Sequence, residues 1–201
     1  LPQEPKMLVF GSYGEKETFF KLKGEIEALF AGLRMKKASY TAEKNNPSYH
    51  PGRCASISID GEVIGVMGQV HPLVAKNYGI DSEVYCAELN FSKMLGLRLP
   101  DPTFTALPKY PAVSRDLALI CSEDITVAQV EEVISASAGK LLRKIQLFDI
   151  YRGVGVPEGK KSMAFSLQLR ADDRTLTDSD SEAVVNNVLA AVKDQLNATL
   201  R

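Results

Sequence analysis

Glycine-rich stretches are the first candidates for chemistry in this sequence, because loops of this kind can cradle phosphate groups. A P-loop places four residues between its glycines and follows them with Lys and then Ser or Thr. Here Gly155 and Gly159 enclose three residues, and Lys161 stands where Ser or Thr would be needed. The stretch also lies between two predicted strands, whereas a P-loop opens a helix. We interpret 153–161 as a strand connection and Gly65–Gly68 as close packing in a hairpin strand.

Histidines, cysteines and carboxylates could form a metal site, but their spacing does not favour one. His50 and Cys54 are separated by Pro51-Gly52, which prevents a helix from bringing them onto one face. His71 also precedes a proline, and both His–Pro pairs are more typical of turns and helix starts. The acidic residues of 172–182 fall mostly at the start of a predicted helix, where carboxylates cap the backbone N–H groups and interact favourably with the helix dipole. We predict no metal site and no catalytic residue.

The composition is that of an ordinary globular protein without a strong electrostatic bias. The chain has 201 residues, 45% of them hydrophobic, with 24 Lys plus Arg against 25 Asp plus Glu. A chain with this charge balance has no net electrostatic attraction to nucleic acid or to a membrane surface. No apolar run approaches the ~20 residues that are needed to cross a bilayer. The three cysteines (Cys54, Cys86 and Cys121) favour free thiols in a reducing compartment. We expect a cytoplasmic protein and, since Leu1 comes first, a piece of a longer one.

Hydrophobic periodicity in the first half predicts a helix and several strands. Apolar residues from Thr18 to Leu33 recur at threes and fours, which indicates an amphipathic helix. Residues 54–70 read as a β-hairpin with Asp60-Gly61 as its turn, followed by a helix from Pro72 to Gly79. Short strands are predicted at 7–10 and 84–90. These elements leave apolar faces uncovered, as the end of a larger antiparallel domain would.

The second half has the order βαββαβ, which is the split βαβ arrangement of a ferredoxin-like domain. Strands are predicted at 116–121, 143–151, 162–170 and 198–201. The helices begin at Thr126, with Gln129 completing a capping box, and near Thr177, with Asp180 three residues later. Both helices should cover one face of the sheet and leave the other face open. The predicted fold class is therefore α+β.

Four prolines within 100–111 separate the two halves, because each fixes its own φ and pushes its predecessor toward extended geometry. We predict a first domain at 1–97, a stiff linker at 98–108 and a second domain at 109–201.

Blocks of residues in the second half resemble a known family. Pro111–Leu119 (PAVSRDLAL), Leu147–Gly153 (LFDIYRG), Gly159–Ser162 (GKKS) and Arg174–Thr177 (RTLT) are similar to the ferredoxin-fold anticodon-binding domain that closes bacterial phenylalanyl-tRNA synthetase β subunits. Upstream, Phe19–Gly24, His50–Arg53 and Gly65–Pro72 resemble the preceding stretch of that subunit. That stretch is the end of an antiparallel module shaped like a class II synthetase catalytic domain but without its chemistry.

The resemblance implies a role in ATP-dependent attachment of phenylalanine to tRNA by an α2β2 enzyme whose α subunit holds the active site. ATP and Mg²⁺ would then be used in the parent enzyme, with no cofactor in this chain. The partners would be tRNA-Phe and the α subunit, with no membrane. The glycine-rich stretches lack the arginine that holds ATP phosphates in a class II site, so we predict a non-catalytic role.

The open sheet face is the candidate tRNA-binding surface. If Phe148 and Ile150 point inward, alternation places Leu147, Asp149 and Tyr151 on this face, and Tyr151 is then the ring available to stack on a base. The sequence predicts a shallow platform of small residues with hydroxyl donors and cations at its margins, including Lys160 and Lys161. The candidate tRNA-binding residues are Ala118, Tyr151, Arg152, Ser162, Arg170 and Arg201.

Two other functions remain open at this point. The first is a ferredoxin-like regulatory module that binds a small molecule. This alternative predicts a glycine-rich loop between the first strand and the first helix, but residues 122–126 contain no glycine. A single-chain organellar synthetase requires the ATP-binding arginine motif in residues 1–100, which is not found.

Overall fold

The computed structural model describes residue 2 and residues 4–201, and the chain divides into two compact units. The first unit spans Leu1–Thr103 and the second spans Phe104–Arg201. Residues 99–112 form neither helix nor strand. The limits of the predicted linker at 98–108 stay a prediction, and the units are described separately.

The first unit contains an antiparallel sheet with helices packed against it. Within its described residues the strands are β1 (Met7–Tyr13), β2 (Ser39–Ala42), β3 (Tyr49–Ile59), β4 (Glu62–Val70) and β5 (Val84–Asn90), in the order β1-β5-β4-β3-β2. The helices are α1 (Phe19–Gly32), α2 (Pro72–Asn77) and α3 (Phe91–Gly96). The buried stripe of α1 packs with the sheet's apolar residues. The predicted helices at 18–33 and 72–79 are confirmed, whereas β2 and α3 were not predicted.

The β3–β4 hairpin shows why its glycines are needed. Asp60 and Gly61 both have positive φ, at 52° and 80°, as expected for the two-residue turn that suits a right-handed twist. A Cβ atom at Gly68 would lie 2.5 Å from the carbonyl oxygen of Arg53, and one at Gly65 would overlap the carbonyl oxygen of Glu88. The predicted packing role of these glycines is therefore confirmed.

The second unit has the predicted βαββαβ order. Its elements are β6 (Val113–Ser122), α4 (Val127–Ala138), β7 (Leu142–Tyr151), β8 (Lys160–Leu169), α5 (Asp178–Leu196) and β9 (Thr199–Leu200), and a 3₁₀ turn at Gly139–Leu141 follows α4. The strands pair antiparallel in the order β7-β8-β6-β9. Thr126 and Thr177 cap the two helices, and in each case the backbone N–H of the threonine donates the reciprocal bond to the side chain of Gln129 or Asp180. The ferredoxin-like α+β fold is confirmed.

The core of the second unit lies between the two helices and one face of the sheet. Alternate residues of β6 and β8 are fully or almost fully buried against the apolar stripes of α4 and α5. The buried sheet residues are Leu117, Leu119, Cys121, Met163, Phe165, Leu167 and Leu169. The residues between them point the other way and form the opposite face of the sheet, as predicted.

The alternation predicted for β7 is wrong around Phe148. A register shift occurs between Leu147, which pairs with Phe165, and Asp149, which pairs with Ala164. Leu147 therefore packs against the core, and Phe148 is the extra residue of a β-bulge, 56% exposed. Beyond the bulge the pairing returns Asp149 and Tyr151 to the open face. Because of this extra residue, Leu147 faces the core and Phe148 does not, contrary to the prediction, whereas Tyr151 lies on the open face as predicted.

Candidate nucleic-acid interface

The open face of the second unit consists of cross-strand rows of mainly small and polar side chains. Because directly paired residues share a face, the pairing register assigns each row. The first row contains Tyr151, Ser162, Ile120 and Thr199, and the second contains Asp149, Ala164 and Ala118. The third contains Gln146, Ser166 and Asp116, and the fourth contains Lys144, Gln168 and Ser114.

Tyr151 and Arg201 form a cation–π pair over the first rows. The backbone N–H of Arg201 donates to the carbonyl oxygen of Ala118 at 2.9 Å, which continues the short pairing of β9 with β6. The guanidinium carbon of Arg201 lies 4.8 Å from the centroid of the Tyr151 ring. The ring is 36% exposed. Three predicted site residues, Ala118, Tyr151 and Arg201, are therefore brought together.

The connection after β7 fixes the position of the Tyr151 ring. A Cβ atom at Gly153 would lie 2.8 Å from the Tyr151 hydroxyl oxygen, so a larger residue there would displace the ring. Gly153 also has a φ of 150°, which side chains rarely adopt. The hydroxyl group itself makes only a long bond, 3.4 Å, to the carbonyl oxygen of Val154. The ring therefore owes its position mainly to packing.

Ser162 lies on the predicted face but does not offer its hydroxyl group to solvent. Its cross-strand neighbours on either side are Tyr151 and Ile120, and the residue is only 3% exposed. A small side chain between two larger ones in the same row is covered by them. The prediction that Ser162 is an accessible donor is wrong for this arrangement.

Two of the predicted margin cations, Arg152 and Lys161, both bond to Glu123. Arg152 donates two hydrogen bonds to the Glu123 carboxylate, at 2.6 and 3.0 Å. The Arg152 hydrogen bond lowers the pKa of Glu123. Lys161 is buried, and its Nζ donates to the Glu123 carbonyl oxygen at 2.8 Å. The prediction of Lys161 as a margin cation is therefore wrong, because it pairs with Cys121 on the helix-covered side.

Arg170 lies far from the Tyr151–Arg201 pair. It follows the last residue of β8, eight residues beyond Ser162, which corresponds to about 26 Å along an extended strand. Its Nε atom is buried and has no hydrogen-bond partner among the described residues. The predicted site residues thus divide into a group at one end of the sheet and Arg170 at the other.

A shallow polar depression of about 150 Å³ occupies the face near Arg170. It is lined by Ser114, Lys144, Gln146, Ser166 and Gln168, and the two serine hydroxyl groups lie 3.1 Å apart. Lys144 and Gln146 were not predicted as site residues from the sequence. They alternate with Ile145 and Leu147, which both pack against the core, and this alternation is the sequence signal that identifies them.

The three cysteine thiols are weakly reactive, and the described residues contain no cluster of metal-ligating side chains. Burial raises the pKa of the thiols of Cys54, Cys86 and Cys121, and that of Cys54 reaches about 11. Among the described residues, no three His, Cys, Asp or Glu side chains are grouped so that they could hold a metal ion. No described helix combines the length and the apolar character needed to cross a membrane.

Comparison with known proteins assigns a family to both units. Residues 108–201 match the ferredoxin-fold anticodon binding domain, and residues 1–91 match the phenylalanyl tRNA synthetase beta chain CLM domain. The phenylalanine–tRNA ligase beta subunit of Clostridium tetani is 40% identical over 201 residues, which are 100% of this chain and 25% of that protein. The chain belongs to the phenylalanine–tRNA ligase beta-subunit family. It spans about a quarter of the length of these relatives.

Other phenylalanine–tRNA ligase beta subunits give the same result. That of Bacillus subtilis is 40% identical over 190 residues, covering 94% of this chain and 24% of the relative. That of Streptococcus thermophilus is 42% identical over 183 residues, covering 91% and 23%. All six predicted tRNA-binding residues lie within the anticodon-binding domain, and so does the polar depression.

Proposed function

We propose that this chain is the tRNA-docking, non-catalytic C-terminal part of a cytoplasmic phenylalanyl-tRNA synthetase β subunit. Its second unit would hold the anticodon region of tRNA-Phe through Ala118, Tyr151, Arg152, Ser162, Arg170 and Arg201. The attachment of phenylalanine, with ATP and Mg²⁺, would take place in the α subunit of an α2β2 enzyme. The observation that carries the proposal is the exposed Tyr151–Arg201 pair beside a shallow platform of small residues on the open face.

Stacking on the Tyr151 ring is the energetic centre of this proposal. A cation–π contact at an exposed site contributes about 0.5–1 kcal/mol, whereas a base stacked on an aromatic side chain contributes about 1–3 kcal/mol. A base can therefore replace the guanidinium of Arg201 on the ring with a net gain. The released guanidinium then becomes available to a neighbouring phosphate or base.

A contact from Ser162 requires the Tyr151 ring to move. Ser162 is covered between Tyr151 and Ile120, so its hydroxyl group would reach RNA only after a rotation of that ring. Arg152 is already engaged with Glu123 and presents its remaining N–H groups to solvent. We assign Arg152 a margin contact rather than a central one.

The first unit would support the assembly with the α subunit. β1 lies at an edge of its sheet, and it exposes Met7, Val9 and Tyr13. An edge strand with exposed apolar residues favours a partner surface, since such edges are otherwise liable to pair nonspecifically.

The decisive experiment is photocrosslinking of tRNA-Phe to the full β subunit in its enzyme, with the photoreactive group placed in the anticodon loop. Crosslinks to peptides containing Tyr151 or Arg201 are expected, and a tRNA with a substituted anticodon should reduce their yield. Crosslinks confined to residues of α4 and α5 would contradict the proposal. As a separate arm, the 201-residue chain alone should form no aminoacyl-adenylate.

A further inference from the structure

We propose that the polar depression at the far end of the open face is a second RNA subsite, which takes a ribose–phosphate unit of the same bound RNA. The inference rests on the proposed tRNA-docking function of this face and extends it to residues outside the predicted site. The depression is lined by Ser114, Lys144, Gln146, Ser166 and Gln168.

Three of the groups that line the depression converge without hydrogen-bond partners of their own. Lys144, Gln146 and Gln168 make no side-chain hydrogen bond or ion pair within the described part of the chain, whereas the two serines bond to each other. Three polar side chains on two neighbouring strands therefore offer a cation and two amide groups to one small volume. Amide groups provide both donors and acceptors, as a ribose hydroxyl group requires.

The size and the polarity of the depression favour a unit of a polymer over a free small molecule. Pockets for drug-sized molecules usually enclose about 300–1,000 Å³ and are mostly apolar. This depression measures about 150 Å³ and every lining residue is polar, which suits a single sugar–phosphate unit of a longer polymer better than a free small molecule.

The charge distribution around the depression and its distance from Tyr151 also suit a phosphate of the same RNA. Lys144 lies on β7, at the edge of the sheet, whereas the carboxylate of Asp116 lies on β6, two strands or about 10 Å away. Asp149 also lies on β7, but on the side of Gln146 away from Lys144. We therefore place the phosphate group of the bound RNA next to Lys144, at the edge of the sheet. Ser166 and Gln168 lie four and six residues beyond Ser162, or about 13–20 Å along the strand, which neighbouring nucleotides of one loop can span.

Binding of an anticodon stem–loop RNA of tRNA-Phe to the 201-residue chain, measured over a range of salt concentrations, tests the subsite. Lys144→Ala should weaken binding about three- to tenfold at low salt and reduce the slope of log K against log salt by about 0.7, the value for one contact to single-stranded nucleic acid. Lys144→Arg should retain the slope. Lys193→Ala, an equal charge change on exposed α5, is the matched control.

A second pair of variants tests the ribose contact. Gln146→Ala combined with Gln168→Ala should reduce the preference for the RNA stem–loop over its DNA counterpart, because the 2′-hydroxyl group is what distinguishes them. An unchanged preference would remove the ribose part of the proposal.

Equal affinity and equal salt slope for Lys144→Ala and Lys193→Ala would overturn the subsite. If Tyr151→Ala still weakens binding, the docking function survives that result. If neither Tyr151→Ala nor Lys144→Ala changes the affinity, the docking function itself fails. Thermal unfolding of each variant confirms that the comparison is between folded proteins.

Discussion

Replacement of Tyr151 by alanine tests the physical basis of RNA docking most directly. The substitution removes the ring that Arg201 covers at 4.8 Å and leaves the polar face otherwise intact. Because the hydroxyl group makes only a 3.4 Å bond to Val154, Tyr151→Phe removes little besides that weak contact. The pair of variants therefore separates the ring from its hydroxyl group.

The expected loss follows from two opposing contributions. Stacking of a base on the ring contributes about 1–3 kcal/mol, and the cation–π contact that the base replaces is worth about 0.5–1 kcal/mol. Taken at the midpoints of the two ranges, the net loss in Tyr151→Ala is about 1.25 kcal/mol, or roughly eightfold in Kd, and its upper limit is about 2.5 kcal/mol. Tyr151→Phe should stay within about twofold of the unsubstituted chain, since both rings stack.

The assay is fluorescence anisotropy with labelled tRNA-Phe anticodon stem–loop at fixed salt. Tyr78→Ala is the matched control, because Tyr78 is an exposed tyrosine in the first unit. Arg201→Ala should also weaken binding, and the double variant should lose more than the sum of the single losses, because each single variant already removes the cost of breaking the Tyr151–Arg201 contact. Wild-type affinity in both Tyr151→Ala and Arg201→Ala, or strictly additive losses, would refute the exchange of guanidinium for base on the ring.

Three further predictions concern stability and reactivity. Gly68→Ala should lower the free energy of unfolding by about 1–3 kcal/mol, because its Cβ would meet the carbonyl oxygen of Arg53; Gly24→Ala, in α1 with open space around it, should raise that free energy by about 0.5–1 kcal/mol in urea titration. Cys54, with its pKa raised to about 11, should be only ~0.1% thiolate at pH 8, so iodoacetamide should label it far more slowly in the native than in the denatured chain, and equal rates would contradict its burial. Hydrogen bonds from Thr177 lower the pKa of Asp180 in the folded chain. The stabilisation from this cap is therefore present above the pKa of Asp180 in the unfolded chain, and it is lost as the pH falls through the pKa of the folded chain. The difference in urea midpoint between wild type and Asp180→Ala should narrow below about pH 4, and a difference independent of pH would exclude the carboxylate as its source.

Local sequence signals were sufficient for the elements whose ends are set by their own residues. The capping boxes that begin α4 and α5 each involve residues three apart, and the hairpin turn at Asp60-Gly61 depends on two adjacent residues. Such signals act before any tertiary contact forms, so they can be read from the chain alone.

Features set by pairing partners could not be read in the same way. The bulge at Phe148 exists because β7 must keep register with β8, and β2 is a short polar strand that gains its partner only from β3. The burial of Lys161 depends on Glu123, which is 38 residues away. These outcomes require long-range information, which explains why the sequence did not predict the face of Leu147, the covering of Ser162 or the burial of Lys161.

The absence of a side chain at Gly153 has a consequence for how base affinity could be tuned. The hydroxyl group of Tyr151 fills the space that a Cβ atom at Gly153 would take. The orientation of the Tyr151 ring therefore depends on the backbone path of the turn that begins at Gly153. In the proposed complex, substitutions in that turn would therefore change the orientation of the Tyr151 ring, and with it the affinity for RNA, without replacing a residue that contacts RNA.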